Sequence, residues 1–175
     1  LTEIFLSFIE VIAFTKREIK IRYKQTTLGA LWAVLQPLSL MLIFTLIFSF
    51  FLKVESQDVP YPIFSYSALL PWLFFSTSFS FGSLAIINNS TLVAKIYFPR
   101  ETLPFSSIVA ALLDFFVASF ILVALMVIYK VHLSWMLLFA LPILGILIIF
   151  TAAVVLFTST LVVIWRDFKF VIPLL

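Results

Sequence analysis

The spacing of its charges constrains this chain more than any other feature. Marking every Asp, Glu, Lys, Arg and His leaves three long uncharged tracts, 25–52, 59–94 and 133–165. Each exceeds the ~20 residues that carry a helix across a hydrocarbon core about 30 Å thick. A fourth tract, 102–129, is interrupted only by Asp114, and a single acid does not veto a span. No water-soluble fold accounts for this pattern: 64% of the residues are hydrophobic and 11% charged, too few polar side chains to cover a core. The bilayer must supply the apolar surroundings, and only structures that satisfy their own backbone survive there.

The predicted fold class is therefore an all-α integral membrane protein forming a single transmembrane domain over 1–175. Pro60, Pro62 and the pair Asn88-Asn89 are breaker signals that trim the second tract to a helix near 63–87. The expected order is an amphipathic interfacial helix over 1–27, spans at 28–52, 63–87, 102–129 and 135–165, and a loop or short helix at 88–101. The start of a further span is expected at 170–175. Alternating sides along this path gathers nine of the eleven Lys and Arg on one face: five before Gln25, two in 88–101, and Arg166 with Lys169. The other face keeps Lys53 and Lys130. Short flanks rich in Lys and Arg stay in the cytoplasm, so the N-terminus and the 88–101 loop are expected there.

The first segment differs in kind from the spans. Leu1, Ile4, Phe5, Phe8, Ile12, Ile19 and Tyr23 recur at helical spacing, while Glu3, Ser7, Glu10, Lys16 and Lys20 occupy other faces. Such a helix, with its basic end, suits the membrane interface near anionic headgroups; the alternative is a helix packed on another subunit. Acidic residues precede its apolar part and no small-x-small site follows, which argues against a cleaved signal peptide.

Asp114 is the anomaly within the spans. An acid at the middle of a transmembrane helix costs roughly 2.5–3.5 kcal/mol on insertion scales unless it meets water, a partner or a proton. It shares one side of its helix with Ser107, Ala111 and Ala118, so it is expected to face a neighbouring helix or a cavity. Two roles stay open for it, conduit residue and interhelical hydrogen-bonding group. Trp72, Phe74, Phe75, Phe79 and Phe81 crowd the second span, where rings can stack on sugar faces or simply pack. Ser76, Ser80 and Ser83 share a face there and either offer hydroxyls or let helices approach closely. The expected conduit lining is Trp72, Phe75, Phe79, Ser76, Ser80 and Asp114. Trp72 and Trp135 also suit anchors at the ends of spans, and Pro71 and Pro142 read as kinks or first-turn residues.

With no Cys and only His132, the chain has neither a thiolate nor a multi-histidine metal centre. Its three Gly form no phosphate-binding loop, and no nucleophile and base stand together in a plausible pattern. The chain is not expected to be an enzyme or to bind a cofactor. If ATP and Mg are involved, another subunit holds them, and no feature calls for a nucleic-acid partner.

Four strings, in order along the chain, carry a family resemblance. The first is Lys16-Arg17-Glu18-Ile19-Lys20-Ile21-Arg22-Tyr23-Lys24-Gln25, followed by Leu28-Gly29-Ala30-Leu31-Trp32 and Gln36-Pro37-Leu38. The second is Leu70-Pro71-Trp72-Leu73-Phe74-Phe75. The third is Asn89-Ser90-Thr91-Leu92-Val93-Ala94-Lys95-Ile96-Tyr97-Phe98-Pro99-Arg100-Glu101-Thr102-Leu103-Pro104, and the fourth Trp165-Arg166-Asp167-Phe168. Together they resemble the permeases that export O-antigen, teichoic acid and capsule-type polysaccharide.

What the resemblance implies is a type-2 ABC transporter permease of six transmembrane helices in the bacterial inner membrane. It would work as a homodimer with two copies of a nucleotide-binding ATPase subunit and move lipid-linked polysaccharide. The sequence ends inside the fifth such span, so the family's outer gate and last helix are not in it. The family's coupling helix, which docks on the ATPase, maps onto 88–101, with Leu92, Lys95, Ile96, Tyr97, Phe98, Pro99, Arg100 and Glu101 as the expected contacts. Ile96, Tyr97 and Phe98 are too apolar for a freely solvated loop, and Pro99 ends the helix sharply; the alternative is a loop dipping into the interface. Lys16, Arg17, Lys20 and Arg22 are expected near the substrate's point of access, where they would meet the phosphates of its lipid carrier. Two rival readings remain: a type-2 exporter of drugs or small lipids, and a membrane channel or scaffold with no ATPase.

Overall fold

Among the described residues the chain is helical throughout, which is how a polypeptide satisfies its backbone inside a bilayer. The computed structural model describes residues 2–24, 28–52, 59–96, 98–131 and 135–174. Helix α1 covers Thr2–Tyr23, and α2 (Trp32–Phe44) runs on as a π-helical stretch over Thr45–Phe51. Then come α3 (Tyr61–Asn88), the short α4 (Ser90–Lys95), α5 (Thr102–Ile128) and α6 (Ala140–Ile164), the last preceded by a 3-10 turn at Trp135–Phe139. Four stretches are long and apolar enough to cross a membrane: Trp32–Ser49, Tyr61–Asn88, Thr102–Ile128 and Leu137–Ile164. Beyond α6 the chain forms two 3-10 turns, Arg166–Phe170 and Ile172–Leu174, where a further span was expected to begin.

Local chemistry explains the boundaries. Pro62, Pro104 and Pro142 sit in the first turns of α3, α5 and α6, where a missing N–H breaks no helical bond. Pro37 and Pro71 lie inside α2 and α3. Asn89 ends α3 and starts α4: its side-chain amide donates to the Ala85 carbonyl at 2.8 Å, while its own carbonyl accepts from the Leu92 and Val93 amides. At the end of α5, Lys130 takes φ 54°, and the Val131 amide donates back to Met126 at 3.0 Å, closing the last turn.

α3 is the central element and touches α2, α5 and α6. Met41, Tyr66, Leu70 and Ala118 form one buried cluster, and Phe74, Ile108, Ala111 and Val155 a second. Small residues set the closest approach. A Cβ on Gly82 would lie 2.5 Å from Val155 Cγ1, and the Ser83 and Thr158 hydroxyls meet at 2.6 Å. Buried hydroxyls return their protons to their own helices: Ser106 donates to the Leu103 carbonyl, Thr151 to Leu147 and Ser159 to Leu156. Large apolar side chains, among them Phe120, Ile149 and Trp135, point outward as a lipid-solvated protein requires.

α1 packs along α5. The Thr15 hydroxyl lies 3.4 Å from the Ser106 carbonyl oxygen and the Tyr23 hydroxyl 2.8 Å from Asp114 Oδ1, and both pairs are separated by 91 residues. Equal separations mean that the two helices advance in the same direction over this stretch, eight residues or about 12 Å. The edge turned toward α5 differs from the expected stripe. Thr15 is buried while Ile12 is 41% exposed, because the contacts of Arg22 and Tyr23 with Asp114 set the rotation of α1.

Candidate functional site

A groove of about 800 Å³ lies between α1, α2, α3 and α5, within the size range of about 300–1,000 Å³ usual for small-molecule sites. α3 lines it with one helical edge: Leu70, Leu73, Phe74, Thr77, Phe81, Ala85 and Asn88 recur every three or four residues. α5 adds Ala111, Asp114, Phe115 and Ala118, and α2 adds Trp32, Gln36 and Pro37. α1 closes the groove with Arg17, Glu18, Arg22 and Tyr23.

Asp114 is the polar centre of this arrangement. Its Oδ1 accepts the Tyr23 hydroxyl at 2.8 Å, and its Oδ2 accepts Arg22 Nη1 at 3.4 Å. Burial, and after it the hydrogen bond to Asp114, raise the Tyr23 phenol above its ordinary pKa, so it stays a donor. The Arg22 guanidinium lies over the Phe81 ring, 4.2 Å from its centroid, and 3.9 Å from Glu18. An acid that is costly in lipid is thus held by two donors from a helix outside the spanning set. Its partners lie 91 and 92 residues away in sequence, and no local pattern announced them.

The expected site residues divide. Asp114, Arg17 and Arg22 come together at the groove. Lys16 and Lys20 stay on the exposed face of α1, and Arg17 donates to Asn89 Oδ1 at 2.9 Å. Of the α3 aromatics, Phe74 and Phe81 reach the groove, whereas Phe75 stacks on Phe79 at 6.0 Å and on Phe150 of α6 at 5.9 Å. Phe79 itself is buried against Val162 and Ile172. Trp72 is exposed, Ser76 bonds the Leu73 carbonyl, and Ser80 is half-buried, all away from the groove. Tyr23, Gln36 and Thr77 are groove residues that sequence reasoning missed. The spacing of Phe74, Thr77 and Phe81 was the available signal, but the rings and hydroxyls of α3 are spread over all its sides and gave no reason to prefer that edge.

In the 88–101 segment, Lys95, Ile96, Pro99, Arg100 and Glu101 are exposed and Leu92 is half-buried. Tyr97 lies outside the described residues. Phe98 turns inward, 9% exposed, with its ring 5.2 Å from that of Phe14 in α1. α1 therefore connects this loop, through Phe14 and Arg17, to Asp114 in the middle of α5.

Residues 9–175 match the ABC-2 type transporter family. An O-antigen export system permease protein, RfbA, of Myxococcus xanthus is 33% identical over 163 residues, 93% of this chain and 62% of the relative. The RfbA of Klebsiella pneumoniae is 30% identical over 162 residues, 91% of this chain and 61% of the relative. A polysialic acid transport protein, KpsM, of Escherichia coli is 34% identical over 122 residues, 68% of this chain and 46% of the relative. The chain spans about three-fifths of the length of the RfbA proteins it matches. Helices that cross the bilayer, the four family strings and the match over nearly the whole sequence agree: the chain belongs to the ABC-2 type transporter family, a family of multi-pass membrane permeases that are transport subunits and bind no cofactor themselves.

Proposed function

We propose that this chain is the membrane-spanning permease part of an ATP-driven exporter of lipid-linked polysaccharide, of the O-antigen, capsule or teichoic acid type, in a bacterial inner membrane. The observation that carries the reading is the likeness to O-antigen export permeases over 93% of the chain, family strings included. A separate ATPase subunit, in two copies on a permease homodimer, supplies ATP and Mg. The excess of Lys and Arg on the loop-bearing face supports a cytoplasmic N-terminus and a cytoplasmic 88–101 segment.

Within this reading the 88–101 segment docks on the ATPase. Exposed Ile96, flanked by Lys95, Arg100 and Glu101, supports an apolar anchor inside a polar rim. Phe98, and through it α1, passes the motion inward, so ATP-driven closure of the partner subunits rocks α1 and α5 together. Lys16, Arg17 and Lys20 remain open to carrier phosphates, while Arg22 is engaged by Asp114. Trp72, Phe75, Ser76 and Ser80 serve the conduit only through surfaces that a second copy would complete, whereas Phe79 is enclosed within the protomer.

The test is purification of the full-length protein in detergent, with mass spectrometry and an ATPase assay, for wild type and Ile96→Glu/Arg100→Glu. An ATPase that accompanies the wild type and falls at least about tenfold in a variant of unchanged elution supports the exporter and its docking segment. No ATPase with either form would make the channel or scaffold reading the better one.

A further inference from the structure

Arg22 is buried yet incompletely used. Its side chain is 9% exposed, and its Nε and Nη2 have no hydrogen-bond partner among the described residues. Nη1 is taken by Asp114, Glu18 stands 3.9 Å from Nη2, beyond hydrogen-bond reach, and Phe81 covers one face of the guanidinium. What remains is a single edge. Nε and Nη2 are the parallel donors of the side-on fork, which matches two oxygens of a phosphate or carboxylate. Donors left buried and unpaired are costly, so this edge points to an acceptor that completes it.

The groove's shape and charge narrow the acceptor. Along α3 it extends from Asn88 to Leu70, about 27 Å of helix. Its Asn88 end carries Arg17 and Asn89, and its far end is apolar, formed by Leu70, Phe115 and Ala118. That gradient suits an amphiphile lying lengthwise, headgroup toward α1 and hydrocarbon toward Leu70. Two guanidiniums, Arg17 and Arg22, face two carboxylates, Glu18 and Asp114. A purely anionic headgroup would upset this balance, whereas one bearing both signs preserves it.

We infer that the groove binds a zwitterionic phospholipid, its phosphate on the free edge of Arg22 and its ammonium on Glu18. A turn of the Arg22 side chain off the Phe81 ring carries the two shielded nitrogens to the phosphate. One hydrocarbon chain lies over Leu73 and Phe74 toward Leu70. This lipid is a resident of the protomer beside α1, and the inference does not depend on what the transporter exports.

The experiment is native mass spectrometry of the full-length protein, delipidated and then offered dioleoylphosphatidylethanolamine, dioleoylphosphatidylglycerol or undecaprenyl phosphate at equal concentration. Glu18→Gln removes the ammonium's partner, and Thr77→Phe fills the groove without touching the Arg22–Asp114 pair. The expected result is one phosphatidylethanolamine per protomer, retained about tenfold more weakly by Glu18→Gln and lost in Thr77→Phe. Equal retention of all three lipids, a preference for undecaprenyl phosphate, or full retention by a Thr77→Phe protein of unchanged elution would each overturn the inference.

Discussion

α3 and α6 cross the same membrane, and the less apolar of the two is the better buried. α3 carries Ser65, Ser78, Gly82, Ser83 and Ala85 among its buried residues and is packed on three sides by α2, α5 and α6. α6 is richer in Leu, Ile and Val, yet Leu141, Ile146, Ile149 and Phe157 are all at least 66% exposed. In water this order would be reversed. In a bilayer the solvent is as apolar as leucine, so burial is driven by close packing and by hydrogen bonds between helices rather than by transfer of apolar surface. The interior of this protein is therefore marked by small and hydroxyl side chains, and its outer surface by large apolar ones.

The strongest way to break the comparison is to make an interior-facing position more apolar. Asp114→Leu raises the hydropathy of α5 but leaves the Arg22 charge without its carboxylate. Stability should fall by about 3–5 kcal/mol, measured by unfolding in mixed micelles, while Ile149→Leu on α6 should have no measurable effect. Unchanged stability of Asp114→Leu would mean that Arg22 is not held as described.

Two glycines sharpen it. Gly82→Ala places a methyl 2.5 Å from Cγ1 of the fully buried Val155, and overpacking should cost about 1–3 kcal/mol. Gly145→Ala on α6 meets nothing within 4 Å and should instead gain up to about 1 kcal/mol of helix stability. The same unfolding assay reads both, and equal effects would remove the distinction between the two helices.

The smallest effect concerns α1. Tyr23→Phe loses the hydrogen bond to Asp114 and should cost about 1 kcal/mol. Because the phenol is held above its ordinary pKa of 10.0 in the fold, the unfolded chain releases that proton first, and wild-type stability should decline as pH rises past about 10. Tyr23→Phe should lack that part of the decline. An identical alkaline profile in the two proteins would show that Tyr23 is not protected by α5.

The helical spans were legible because each depends on a local sum. Length and freedom from charge are properties of consecutive residues, and the breakers Pro60, Pro62 and Asn88-Asn89 fall where α3 begins and ends. Asp114 was legible as a group that needs a partner. The partner was not, since Arg22 and Tyr23 sit on a helix whose basic residues read equally well as an interfacial patch. Phe98 was readable as too apolar for a solvated loop, but its contact with Phe14 depended on where α1 lies.

By itself, then, the sequence determined that the chain is helical with stretches long and apolar enough to cross a membrane, and that one acid among them must be satisfied. Only the tertiary structure decided which edge of α3 lines the groove, so that Phe74 and Phe81 meet Arg22 and Asp114 while Phe75 and Phe79 meet α6. The physical reason is rotational. A helix turns about 100° per residue, and one that is apolar all round carries no moment to choose a side. That choice falls to the contacts that exist only once the helices are together: Gly82 against Val155, Ser83 against Thr158, and Tyr23 against Asp114.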